Sequence, residues 1–289
     1  MPQRFGKIWL LLLMGVVLGL ASCTEIIDVE LDSTYTRLVV YGEITTDSVH
    51  HQVSLTKSSD YFSNKPPPPV SDAVVELEFD NQIVELEEHD TIAGVYLTPS
   101  AFRGVPGTKY NLRIRQVDID EDGNDETYQS ESIMPGGAEL DSISLGYFTS
   151  PFVTGYQVFM YALDPPTQDW YGFKIWKNSD LLTDTLIKHS VQSDDFFNDS
   201  YLFGLPVGFL SDEDPREALL PGDTITLELN CIEQPYYQFI LDAQSAIMGN
   251  NPLFSGPPAN VSTNIDNGGV GYFTAFSVLR ASAILPLDP

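Results

Sequence analysis

The sequence predicts a mainly β protein, built as two antiparallel β-sandwich-like (Ig-like) domains with one short helix in the C-terminal domain. Three observations predict it. Several segments alternate apolar and polar residues with the period of two that a half-buried strand imposes. These segments are short and closely spaced, with turn residues between them, as in an antiparallel sandwich. A hydrophobic content of 43% and 14 tyrosines fit a packed β-rich globule better than a disordered tail.

The first strand candidates are RLVVYGEIT (37–45) and HQVSLTKS (51–58). A polar loop follows, and its four prolines, Pro66 to Pro69, favour a stiff, extended polyproline conformation at the surface. In AVVELEFD (73–80), Val75, Leu77 and Phe79 share a face opposite Glu76, Glu78 and Asp80. Asn81-Gln82 supplies a turn, and IVELEE pairs back. GVYLTP follows, then KYNLRIRQV (109–117), with Tyr110, Leu112 and Ile114 opposite Asn111, Arg113 and Arg115. ETYQSESI (126–133) closes the N-terminal sandwich, residues 37–135, and the MPGG run at 134–137 marks the boundary.

The C-terminal domain, 136–289, opens with ELDSISLGYF, GYQVFMYALD and DWYGFKIWKN. A polar stretch, QSDDFFNDSY, leads to LPGDTITLELNCIE (220–233). There Ile225, Leu227, Leu229 and Cys231 face inward, opposite Thr226, Glu228 and Asn230. Cys231 is therefore expected to be a small buried apolar thiol, not a nucleophile. PYYQFILDAQSAIMGN (235–250) is the helix, with Pro235 in its first turn and Gly249 at its end. Tyr236, Phe239, Ile240, Ala243 and Ile247 form its buried stripe. STNIDNGGVGYF (262–273) is expected to be a tight hairpin, with Asn264 and Asn267 making local turn hydrogen bonds.

The amino end carries an address. Arg4 and Lys7 precede Ile8–Leu20, thirteen residues without a charge. A membrane span needs about 20 apolar residues, whereas this run has the length of a signal-peptide apolar region. Leu20-Ala21-Ser22-Cys23 resembles the lipobox of bacterial lipoproteins. The resemblance implies that residues 1–22 are a removed leader, and that Cys23 is lipidated at the head of a tether, residues 23–36. Each buried methylene adds about 0.8 kcal/mol, so two or three acyl chains hold a protein firmly where one does not.

The leader holds two of the 14 basic residues and none of the 41 acidic ones, so the remainder carries a net charge of −29. Such a surface repels nucleic acid and anionic headgroups, which excludes a nucleic-acid partner. With Cys23 lipidated, Cys231 has no partner for an internal disulfide, and stability falls to the core.

The candidate metal site is DIDEDGNDETYQ (118–129). Asp118, Asp120 and Asp122 stand at positions one, three and five of a calcium loop, with Gly123 at the sharp turn. Asn124 and Glu126 add oxygen donors, while Gln129 replaces the usual bidentate Glu. An exposed hairpin tip on Asp122-Gly123 is the ordinary alternative. Adjacent His50 and His51 point to opposite faces, and His89 and His189 stand apart, so zinc is not expected. Trp170, Tyr171 and Trp176 offer rings for stacking on a sugar or peptide, against a competing role in the core. No Gly-x-Ser-x-Gly elbow occurs, and no catalytic residue is assigned.

Taken together, RLVVYGEIT, VSLTKSSDYF, PVSDAVVEL with GVYLTP, PGTKYNLRI and the closing STNIDNGGVGYF resemble the domain of unknown function 4249 family of Bacteroidota lipoproteins. The resemblance covers nearly the whole chain after Cys23. It implies a lipid-anchored protein of the outer membrane, encoded near TonB-dependent transporters, with no established activity. The expected function is a non-catalytic binding or accessory subunit of such a transporter, held to the membrane by its lipid. The alternatives are an envelope hydrolase using carboxylates and a structural adhesion module. Surface-displayed lipoproteins of those bacteria often carry an acidic cluster directly after the lipidated cysteine. Here only Glu25 precedes two isoleucines, so both the periplasmic and the outward-facing side stay open.

Overall fold

The alternating segments become strands in the computed structural model, which describes residues 36–59, 65–248 and 261–287. Cys23, the expected leader and tether, and Gly249 lie outside the described residues. The first half forms β1 (Leu38–Thr45), β2 (Gln52–Lys57), β3 (Val74–Phe79), β4 (Gln82–Glu88), β5 (Val95–Leu97), β6 (Lys109–Val117) and β7 (Glu126–Ile133). The second half forms β8 (Glu139–Thr149), β9 (Thr154–Leu163), β10 (Trp170–Lys177), β11 (Asp180–Leu181), β12 (Ser190–Ser193), β13 (Tyr201–Ser211) and β14 (Thr224–Ile232). Helix α1 (Gln234–Met248) and the long closing strand β15 (Val270–Ile284) complete it. The protein is mainly β, with two sheets and a single α-helix among the described residues.

The larger sheet runs β11-β10-β14-β15-β1-β2-β5-β4-β3-β6-β7, with β12 paired to β10. The smaller one runs β13-β9-β8. The neighbouring strands pair antiparallel except β1 and β15, which run parallel over Val39–Thr45 and Val270–Phe276. The buried side chains form two large cores and a smaller one. Leu38, Val53, Leu77, Tyr96, Leu112 and Tyr128 belong to one, and Val158, Met160, Phe173, Leu210, Leu227 and Cys231 to the other. Strand β15 serves both: Phe273 and Ala275 enter the first core, and Leu279, Ala281 and Ala283 pack against the second. Its opposite face meets α1 through Tyr272 and Phe276, which pack with Tyr236 and Ile240.

Gly271 makes that insertion possible. Its φ is +99°, and a Cβ there would lie 2.0 Å from the Val40 carbonyl oxygen. Only a residue without a side chain allows β1 and β15 to approach so closely in this conformation. The glycine-rich run before it is not the local hairpin expected. Gly269 N–H closes a turn onto the Asp266 carbonyl (3.0 Å), but the polar side chains reach far along the chain. Asn264 Nδ2 donates to the Phe273 carbonyl (2.7 Å) and the Glu131 carbonyl (3.2 Å). Asn267 Nδ2 donates to the Thr127 carbonyl (3.3 Å), and Gln129 N–H donates to Asp266 Oδ1 (2.5 Å). The run thus covers the free edge of β7 and ties it to β15, leaving that edge no open ladder.

Strand β13 is not marked in the sequence, because Gly204, Pro206 and Gly208 interrupt its pattern, and it shows two register shifts against β9. Two further expectations are corrected. Ile247 is 55% exposed, because the last turn of α1 runs past the sheet. The outer residues of β14 are not wet: Glu228 and Asn230 are buried, because the helix and neighbouring strands cover that face as well.

Substituting Gly271→Ala should destabilise the chain by several times the effect of Gly268→Ala. Gly268 also has positive φ (+77°), but a Cβ added there would meet no atom within 4 Å, so its change should cost about 1 kcal/mol. Urea denaturation of both variants measures the difference, and equal losses would remove the close-approach argument.

Candidate functional site

Strand β9 is the middle of the small sheet, and both of its faces are apolar. Val158, Met160 and Ala162 point into the core. Phe159, Tyr161 and Leu163 therefore point the other way. The register places Phe203 opposite Tyr161, Pro206 opposite Phe159 and Phe209 opposite Gln157 on the β13 side. On the β8 side, Ser144 faces Phe159 and Gly146 faces Gln157. Phe148 joins the same outer face and meets Phe209 edge-on, with ring centroids 6.4 Å apart. Tyr201 meets Phe203 likewise at 4.6 Å. Phe203 is 84% exposed and Phe148 is 50% exposed. None of these side chains is charged, so the small sheet presents a neutral aromatic platform backed by a packed core.

Its rim is acidic. At the rim Tyr201 donates its phenol hydrogen to Asp141 Oδ2 (2.7 Å), beside Glu139, which pairs with Leu163; on the opposite, core-side face Tyr147 pairs with Tyr156 and donates to Asp212 Oδ2 (3.0 Å). These carboxylates raise the proton affinity of both phenols. The platform was missed in the sequence because β13 lacks alternation and because β9 is apolar on both faces, which reads equally as a buried strand. The expected stacking residues lie elsewhere. Tyr171 is core, Trp170 packs under α1, and Trp176 has its Nε1 buried.

Under α1 the large sheet carries a charge network. Lys174 lies 3.6 Å from Glu43 Oε2 and 4.0 Å from Glu228 Oε1, with its ammonium 5.4 Å from the Phe276 ring centre. Arg280 donates to Glu228 (2.7 Å) and makes a forked pair with Asp47 (2.8 and 2.6 Å). Tyr41 and Tyr236 both donate to Glu43 Oε1. These residues come from β1 and the loop after it, β10, β14, β15 and α1, so the network ties together the strands around the parallel pair. Beside it, burial and the Lys174 charge push His189 down to about 4. Burial also pushes the Cys231 thiol up, which keeps it protonated and inert.

The expected calcium loop is the β6–β7 connection. Oxygens of Asp118, Asp120 and Glu126 lie within 4.8 Å of one another, forming the one such carboxylate, imidazole or thiol trio among the described residues. Asp122 is not one of the trio, and its Oδ1 accepts the Asn124 N–H (2.8 Å) and Nδ2 (3.0 Å). Asp118 accepts the N–H groups of Asp122 (3.1 Å) and Gly123 (3.0 Å), which curls the loop around its carboxylate. Lys57 braces the loop from β2 through the Ile119 carbonyl (3.2 Å) and Glu121 (3.0 Å). The trio supplies three hard oxygen donors, and a calcium ion would complete its shell with carbonyls and water. A separate acidic cleft of about 460 Å³ is lined by Glu85, Glu87, Asp90, His50 and His89. There His50 Nδ1 is bound to the Thr98 carbonyl (2.7 Å), and His89 Nδ1 accepts the Thr91 N–H (3.1 Å).

A family model described as "Domain of unknown function (DUF4249)" matches residues 24–282. No curated protein matches the chain.

Two measurements test these sites. Native His189 stays neutral where the unfolded chain takes up a proton, so its contribution is complete above pH 6.5 and is lost as pH falls toward 4. The loss should be on the order of 2–3 kcal/mol. Urea denaturation of the wild type and His189→Gln at pH 7 and pH 4.5 should show the smaller pH dependence in the variant. For the carboxylate trio, about 1 mM calcium should raise the melting temperature. Asp118→Asn combined with Asp120→Asn should abolish the rise, and a titration without heat or shift would end the calcium assignment.

Proposed function

This chain belongs to the DUF4249 family, and from that premise we propose that it is a lipid-anchored, non-catalytic accessory protein of the outer membrane, serving a TonB-dependent transporter. The observation that carries the reading is the neutral aromatic platform on β8, β9 and β13. A rigid, exposed, uncharged face on a strongly acidic body is built for contact. Isolated apolar side chains are common on surfaces, but a contiguous aromatic patch marks a site of interaction. The remaining polar clusters favour structural work, because most of their hydrogen-bonding capacity is committed to the chain itself. The leader and Leu20-Ala21-Ser22-Cys23 support attachment through acyl chains on Cys23.

Cell fractionation of Cys23→Ser tests the anchor. The variant should leave the membrane pellet and accumulate unprocessed, and normal maturation with full membrane retention would overturn the proposal. Purification of the wild type in mild detergent should bring a TonB-dependent transporter with it in near-stoichiometric amount, and its consistent absence would remove the transporter role.

A further inference from the structure

The aromatic platform is set in a region with a single sign of charge. Residues 136–173 and 190–215, which carry β8, β9 and β13, contain no Lys, Arg or His. The same two stretches expose Glu139, Asp141, Asp195, Asp199, Asp212 and Glu213, while Asp164 and Asp194 are buried. The result is an apolar centre inside an acidic border. Phe203 and Phe148 stand out from the centre, while Glu139, opposite Leu163, and Asp141, which accepts from Tyr201, sit at the border.

The platform is preorganised. A Cβ on Gly146 would lie 2.8 Å from the Phe159 ring, so the missing side chain leaves room for that ring. Tyrosine and phenylalanine rings fixed by packing lose little freedom on contact, which is why aromatic residues dominate binding hot spots. Strand addition at the β13 edge is disfavoured, because Pro206 and two register shifts interrupt it.

Charge complementarity selects the occupant. A second copy would set two acidic borders against each other, which costs free energy at every like-charged contact. Nucleic acid and anionic bilayers are repelled for the same reason. We propose that the outer face of β8, β9 and β13 docks a protein whose surface presents an apolar ridge flanked by lysines or arginines. This rests on the accessory-protein reading above and narrows it to one face and one partner chemistry. The acidic border steers the encounter, and the aromatic centre holds the complex once formed.

A photo-crosslinking amino acid placed singly at Phe203, Phe148 and, as control, exposed Ile83 on β4 tests this in the full-length chain in cells. Phe203 and Phe148 should give one discrete protein adduct that Ile83 does not. Mass spectrometry should place the link in a partner peptide with apolar residues flanked by Lys or Arg. Reversing the border with Glu139→Lys and Asp141→Lys should cut the yield about tenfold without changing the melting temperature by more than a few degrees. The inference is overturned by an adduct between two copies, an adduct within one chain, a lipid adduct, no adduct, or a yield indifferent to charge reversal. A basic-flanked partner that is not a transporter would uphold the docking face and remove the transporter role. Co-purification of a transporter with no adduct at the platform would do the reverse.

Discussion

The parallel pairing of β1 with β15 is the constraint on which the rest of the structure depends. A parallel ladder cannot be closed by a tight turn. Here the connection is nearly the whole chain, from the end of β1 at Thr45 to the start of β15 at Val270. The last strand therefore inserts beside the first, with β14 on its other side. Gly271 supplies the approach distance, and Asn264, Asp266 and Asn267 secure the entry to the strand. Contacts this distant in sequence form late and slowly, because loop closure must precede any gain from pairing.

One strand then supports three packed regions. Inward residues of β15 complete the first core near its start and the second core near its end, while its other face receives α1. The charge network lies across the same junction. Burying charges is costly unless they are paired, so Lys174, Glu228 and Arg280 are stable here only when the strands keep this register. The network acts as a check on alignment more than as a source of stability.

The aromatic platform depends on this frame at one remove. Val158, Met160 and Ala162 hold the small sheet from behind, against a core that Leu279, Ala281 and Ala283 help to close. That core keeps the outer rings at fixed spacing. The fold backs the platform with a packed core, and the acidic residues around β8, β9 and β13 set the charge of its surroundings.

Alternation was legible wherever one face is dry and the other wet. The strands at 109–117 and 126–133 coincide with β6 and β7, and the inward sets of β3, β6 and β14 fall as read, with Phe79 only half-buried. Pro235 lies in the first turn of α1, as the helix signals require. Where the pattern failed, the cause was nonlocal. Strand β13 survives its glycines and proline because β9 pairs with it, and Glu228 and Asn230 are buried by elements distant in sequence. Asn264 and Asn267 are good turn formers whose side chains found partners more than 130 residues away. By itself the sequence determined which segments extend and which side chains turn inward, because a period of two is a property of neighbouring residues. Only the tertiary structure decided which strands meet, whether the second face is covered, and which apolar face stays open, because pairing and burial are properties of residues far apart in the chain.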